Sequence, residues 1–185
     1  MRVIAGEYKG RKLLSPDGYK LRPTPEKVRE ALFSILAAEV DGAVCLDLFA
    51  GCGSLGIEAL SRGADRCFFV DISPGSISLL RDNLASVGTD DKAQIIRGDF
   101  KKAIKTLREN DPEAKIDIAF IDPPFDSGYY DVVMKLLADY DIMRAGGIVV
   151  IESDDSRNEH IDFRGFSLGD VRKYGRVRLE FWLRD

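Results

Sequence analysis

The run Ala119-Phe120-Ile121-Asp122-Pro123-Pro124-Phe125 reads as a buried strand that ends on an acid. Proline has no N–H to give to a strand ladder, so the strand stops at Asp122 and two stiff residues lead to the Phe125 ring. A carboxylate, a fixed turn and an aromatic face exceed what a strand-ending turn requires. A second group lies upstream. Gly51, Gly53 and Gly56 spell G-x-G-x-x-G directly after the strand-like segment Ala43–Phe49. That spacing lets a backbone turn tightly into a helix and approach a nucleotide closely.

Acids follow the glycines at strand ends. Asp71 closes the next strand, where it is placed to accept ribose hydroxyls. The glycine loop and Asp71 fit either a nicotinamide dinucleotide or S-adenosylmethionine, since both carry an adenosine. Asp47 favours the second. It lies inside the end of the first strand, before the glycines, where a carboxylate can answer the ammonium of a methionine moiety, directly or through water. Asp99 ends a third strand in Arg97-Gly98-Asp99-Phe100. Its carboxylate is placed to accept an adenine amino group with Phe100 beside the ring. The same residue suits an N-cap of the helix that follows, and the two roles are compatible.

The elements that must position these residues form an alternation from residue 43 onward. Strands at 43–49, 66–71, 93–99, 116–122 and 146–153 are separated by helical segments that begin near Ser54, Pro74, Phe100 and Tyr130. Strands alternating with helices imply parallel pairing and right-handed crossovers, with both sheet faces covered. Residues 166–175 and 176–185 break the pattern as two strand-like runs joined near Tyr174-Gly175, which requires an antiparallel strand. The expected fold is α/β, a seven-stranded, mostly parallel sheet with a terminal antiparallel hairpin. Upstream, residues 2–6 and 11–15 read as a small hairpin. Thr24 is expected as N-cap and Pro25 as first residue of a helix whose buried face carries Val28, Leu32, Ile35 and Leu36. The reading divides the chain into an extension, residues 1–24, and a main domain, residues 25–185.

Composition excludes several classes. No apolar run reaches membrane-spanning length, and the chain starts without an apolar signal segment. Cys45, Cys52 and Cys67 form no C-x-x-C pair and His160 is the one histidine, so no zinc site is expected, and a reduced cytoplasm is the natural compartment. Net charge is −4, yet residues 1–30 carry eight basic groups against four acids. Arg2, Lys9, Arg11, Lys12 and Arg22 are the candidates for contacts with nucleic-acid phosphates. Because the alternation starts only near residue 43, removal of residues 1–14 is expected to leave the core folded.

Asp47-Leu48-Phe49-Ala50-Gly51-Cys52-Gly53, Val70-Asp71, Arg97-Gly98-Asp99-Phe100 and Ile121-Asp122-Pro123-Pro124-Phe125, in this order, resemble class I S-adenosylmethionine-dependent methyltransferases. Asp-Pro-Pro-Phe is similar to the branch that methylates exocyclic or amide nitrogens. Arg2–Leu13 and Arg22–Leu36 resemble the bacterial RsmD family. The resemblance covers nearly the whole chain; Cys52 stands where such proteins often carry Ser, Thr or Ala. It implies methylation of guanine 966 at N2 in 16S ribosomal RNA, with an assembled or partly assembled small subunit as the partner and naked RNA as the alternative substrate. It also implies roles at the target amine. Asp122 and the Pro123 carbonyl accept its N–H groups, Pro123 and Pro124 hold that carbonyl in place, and Phe125 stacks on the extruded base. An adenine-N6 methyltransferase, a nicotinamide oxidoreductase and a catalytically idle RNA-binding module are the competing readings.

Overall fold

The computed structural model describes residues 1–15, 24–110, 113, 115–124, 128–154 and 162–185. Phe125, Arg22 and His160 lie outside the described residues.

Helix α1 (Glu26–Ile35) precedes an alternation of β1 (Val44–Leu48), α2 (Ser54–Ser61), β2 (Arg66–Asp71), α3 (Pro74–Val87), β3 (Ala93–Arg97), α4 (Phe100–Asn110), β4 (Ile116–Ile121), α5 (Tyr129–Asp139) and β5 (Met143–Asp154). A hairpin of β6 (Phe166–Tyr174) and β7 (Val177–Arg184) completes one sheet of order β3-β2-β1-β4-β5-β7-β6. The first five strands pair in parallel, and β7 runs antiparallel to both β5 and β6. This is the seven-stranded α/β sheet the alternation predicts. The chain steps from β3 on one flank across to β4, so β1 and β4 become neighbours at a topological switch point, where such sheets bind ligands.

Two apolar cores cover the sheet. On one face Cys45, Phe69, Phe120, Val150 and Leu179 pack against Leu32 and Phe33 of α1 and Ile57 and Leu60 of α2. On the other, Leu46, Phe68, Ala119, Val149 and Trp182 pack against Ile104 and Leu107 of α4 and Val133 and Leu137 of α5. Alternate residues of each strand therefore go to opposite cores, as the period of two requires.

The amino-terminal segment differs from the expected hairpin. A single antiparallel bridge, Arg2 to Lys12, replaces two strands. The reason is a competing acceptor: the N–H groups of Ile4 and Ala5 go to the Glu58 carboxylate at 2.8 and 3.0 Å, so the ladder cannot continue. Val3, Tyr8 and Leu13 join the core beneath α1 and α2. Glu7 and Tyr8 donate backbone N–H groups to Ser61, and Leu14 exchanges hydrogen bonds with Asn83 of α3. The segment is sewn into the fold, which argues against the expectation that removal of residues 1–14 leaves the core folded.

Helix α1 also departs from the sequence pattern. Its first residue is Glu26, with Pro25 in extended conformation at the N-cap and no side-chain cap. Thr24 therefore does not cap; its hydroxyl donates to Glu152 instead. Ile35 is 40% exposed, while Arg29 is fully buried beside Glu58.

Candidate active site

Asp47, Asp71, Asp122 and Glu152 rise from four neighbouring strands at one end of the sheet. Asp47 pairs across with Phe69 of β2 and Phe120 of β4. Asp71 and Asp122 stand two residues beyond those partners, hence on the same face one level higher. Ile121 pairs with Ile151, so Asp122 and Glu152 follow as neighbours at the carboxyl ends of β4 and β5, about 4.8 Å apart between strands. All four line one cavity of about 400 Å³, within the range of small-molecule sites. Asp99, Phe100, Gly51, Pro123 and Pro124 join its wall.

The glycine loop is built by these acids. Gly51 and Gly53 hold φ of 56° and 81°, a left-handed path open to glycine at little cost. The Asp71 carboxylate accepts the N–H of Gly51 and of Ser73, each at 2.8 Å. A carboxylate has about four lone-pair sites, so capacity remains for hydroxyls of a ligand. Asp47 accepts the Gly56 N–H at 2.9 Å. Gly56 serves packing: a Cβ there would come within 2.2 Å of the Phe69 ring. Asp99 accepts the Lys101 N–H at 2.9 Å and so caps α4 while its residue lines the cavity.

Burial governs the electrostatics. It pushes the Asp47 carboxyl up to about 7; the Gly56 N–H opposes this and the charge of Asp71 adds to it. Burial raises Asp122 well above the ordinary carboxylate range, with Glu152 and then Asp47 contributing further. Burial raises Glu152 too, against the pull of the Thr24 hydroxyl, which donates to it at 2.7 Å. Asp122 and Glu152 are thus two neighbouring carboxylates that favour sharing a proton.

The cavity wall contains five acids, Asp47, Asp71, Asp99, Asp122 and Glu152, and no lysine or arginine among its described residues. Such a wall repels a pyrophosphate and suits a cation. Asp47 is 4% exposed, and among the described residues no cationic side chain answers it.

Three groups at this site escape a linear reading. Thr24 and Glu152 meet across a separation of 128 residues. Phe49 adopts φ of 77°, a strained conformation for an aromatic residue, and its ring lies 5.2 Å from Phe100 and 6.0 Å, nearly parallel, from Tyr129. The non-glycine strain next to a glycine loop has no sequence signal. The basic candidates stand apart: Arg2, Lys9, Arg11 and Lys12 are exposed and none lines the cavity. Arg2 pairs with Glu26 at 2.8 Å, and Arg11 donates to the Ser86 carbonyl at 3.0 Å.

Comparison with known proteins agrees with this architecture. The family model described as "Conserved hypothetical protein 95" matches residues 1–183. "Ribosomal RNA small subunit methyltransferase D" of Escherichia coli (strain K12) is 35% identical over 185 residues, covering 100% of this chain and 90% of that protein. The protein of the same name from Haemophilus influenzae is 31% identical over 158 residues, covering 85% and 80%. The solved structure of yhhF from Escherichia coli superposes with a TM-score of 0.86 at 32% identity, covering 100% of this chain and 98% of that one. A match over nearly the whole length, with the sheet order and the acidic cavity in place, makes this chain a member of the conserved hypothetical protein 95 family, the RsmD family.

Proposed function

We propose that this chain is a methyltransferase that uses S-adenosylmethionine to methylate N2 of a guanine in 16S ribosomal RNA, guanine 966 by its resemblance. The observation that carries the reading is the cavity wall of five acids with no base among its described residues. The cofactor carries an ammonium and a sulfonium, so the wall fits it and disfavours a nicotinamide dinucleotide, whose pyrophosphate would meet acids and no lysine or arginine among the described wall residues. Asp47 would hold the ammonium, Asp71 the ribose hydroxyls and Asp99 the adenine amino group, with Phe100 beside the ring. Gly51 brings backbone close to the ligand, whereas Gly53, expected beside it, lies outside the cavity wall and packs against Leu80, Ile57 and Phe69. When bound, S-adenosylmethionine supplies an electrophilic methyl group on a good leaving group.

The chain's own work is to position and polarise the target amine. A guanine N2 is a weak nucleophile because its lone pair is conjugated into the ring. Asp122 and the Pro123 carbonyl would accept its two N–H groups and favour a pyramidal nitrogen whose lone pair faces the methyl donor. Pro123 and Pro124 fix that carbonyl, and Phe125 stacks on the base. Asp122 neighbours Glu152, and a carboxylate pair of raised pKa is suited to take the proton the amine releases. Residues 1–24 act as the RNA-facing extension, where Arg2, Lys9, Arg11, Lys12 and Arg22 meet phosphates of a small subunit in the cytoplasm.

The test is incubation with labelled S-adenosylmethionine and small subunits from cells lacking this protein, followed by nucleoside analysis. Label is expected in N2-methylguanosine. Label in N6-methyladenosine, or none, overturns the reading.

A further inference from the structure

The acidic cavity poses a problem for a polyanionic substrate. Residues 1–30 carry +4 and residues 171–179 carry +4, so against a total of −4 the rest of the chain holds −12. The second of these basic stretches, Val171-Arg172-Lys173-Tyr174-Gly175-Arg176-Val177-Arg178-Leu179, contains four cations and no acid. It forms the tip of the β6–β7 hairpin.

Register places that tip. Because β7 runs antiparallel to β5, Asp154 at the carboxyl end of β5 pairs with Val177 at the start of β7, and Glu152 pairs with Leu179. The turn therefore lies at the same sheet edge as Asp47, Asp71, Asp122 and Glu152. From β4, which leads into Asp122, to β6 is three strand spacings, about 14 Å. Arg172, Lys173 and Arg176 are exposed. Tyr174 and Val177 pack on the core that also takes Met1 and Val3, so Arg172, on their side of the hairpin, shares a face with the basic amino-terminal segment, while Lys173 stands on the other.

Lys173 and Arg178 stand directly across from each other in β6 and β7, and like charges so placed destabilise a strand pair. Arg178 is engaged by buried Glu180 at 2.7 Å, and Arg172 by Asp170 at 2.8 Å through an exposed pair that contributes little. A phosphate at the tip would meet Arg172, Lys173 and Arg176 as opposite charges.

We infer that the β6–β7 hairpin tip, through Arg172, Lys173 and Arg176, is an RNA phosphate-binding surface that holds the strand flanking the target nucleotide at the rim of the cavity. The inference rests on the RNA-methylating reading above and assigns a contact surface on the opposite end of the chain from the amino-terminal segment. Phosphate contacts release counterions, so their loss is read in the salt dependence of binding.

The experiment compares wild type with Lys173→Glu/Arg176→Glu, using a labelled RNA hairpin and, separately, small subunits lacking the modification. Dissociation constants are measured against salt concentration, with thermal melting of each protein alongside. Lys173 and Arg176 are exposed, so the variant should melt near the wild-type temperature. Its RNA binding should nevertheless weaken, and the slope of log affinity against log salt should fall by about 1.4–1.8 units for two lost contacts. A purely structural role for the tip would move both readouts together. Should the double variant not fold, Arg172→Gln/Arg176→Gln keeps the strand length and polarity and tests the same slope. A folded variant with the wild-type slope and affinity overturns the surface. These outcomes separate from failure of the functional reading: wild type that transfers no methyl group to subunits sinks the activity, whereas wild type that methylates beside variants of unchanged slope sinks only the surface.

Discussion

Asp122 and Glu152 follow paired residues of adjacent parallel strands, and two carboxylates that close resist ionising together. Burial raises both, each carboxylate disfavours charge on its neighbour, Asp47 adds to the rise on Asp122, and the Thr24 hydroxyl favours a charged Glu152. Asp122 must be ionised to accept amine N–H groups, so the single-turnover rate should climb with pH on a limb lying above the ordinary carboxylate range. Glu152→Gln removes a neighbouring negative charge and should move that limb to lower pH, whereas Asp122→Ala should lower the rate by about 10²–10³ with S-adenosylmethionine affinity changed far less. A rate–pH profile of Glu152→Gln that overlays the wild type would disconnect the two carboxylates. Asp47 makes a separate, stability-level prediction. Its carboxyl is raised from 3.8 to about 7 in the fold, so the folded state holds the proton more tightly than the unfolded chain. Stability from this group is present while pH is below the unfolded value and is lost as pH rises through the folded one. Asp47→Asn does not titrate and keeps an acceptor for the Gly56 N–H. Without ligand it should gain on wild type between about pH 4 and about pH 7, by up to ~4 kcal/mol, and then hold level. Denaturant midpoints across that window check it, and a constant difference would mean that Asp47 is not held neutral.

At the scale of elements, Glu58 of α2 organises the amino-terminal segment. Its carboxylate accepts the N–H groups of Ile4 and Ala5 and pairs with Arg62 at 2.7 Å, while Arg29 lies beside it and donates to the Arg2 carbonyl. Deleting residues 1–14 would strip Val3, Tyr8 and Leu13 from the core, each worth roughly 1.5–3 kcal/mol. It would also take two N–H partners from a buried carboxylate. Set against a typical stability of about 5–15 kcal/mol, the shortened chain should melt far below the full one or not cooperatively. Circular dichroism melts of both decide it, and equal melting temperatures would return the segment to a passive cover. Its RNA contacts are therefore better probed by Lys9→Glu and Lys12→Glu, which leave the backbone in place. The segment was legible as basic and turn-forming, because residue types show that directly. Its lost strands were not, because they depend on Glu58, an acid fifty-odd residues away that competes for the same N–H groups.

Over the whole molecule, acids gather at one end of the sheet around the cavity, while cations occupy the amino-terminal segment and the hairpin tip. A cationic cofactor and a polyanionic substrate can then be served by one edge without their fields cancelling at the same point. Much of this was determined by the sequence alone. Short continuous apolar runs alternating with amphipathic helices set the element order, since burial on both faces leaves few other ways to pack them. Prolines after Asp122 and glycines after Leu48 set where strands end, since both act on the local backbone. Tertiary structure alone decided which strand ends became neighbours. The order β1-β4-β5 put Asp122 beside Glu152 and drew Thr24 away from a helix cap to donate a hydrogen bond there. The reversed direction of β7 turned a basic hairpin toward the site rather than away from it. Pairing between distant strands is settled by the packing of the whole sheet, and no local pattern of residues encodes it.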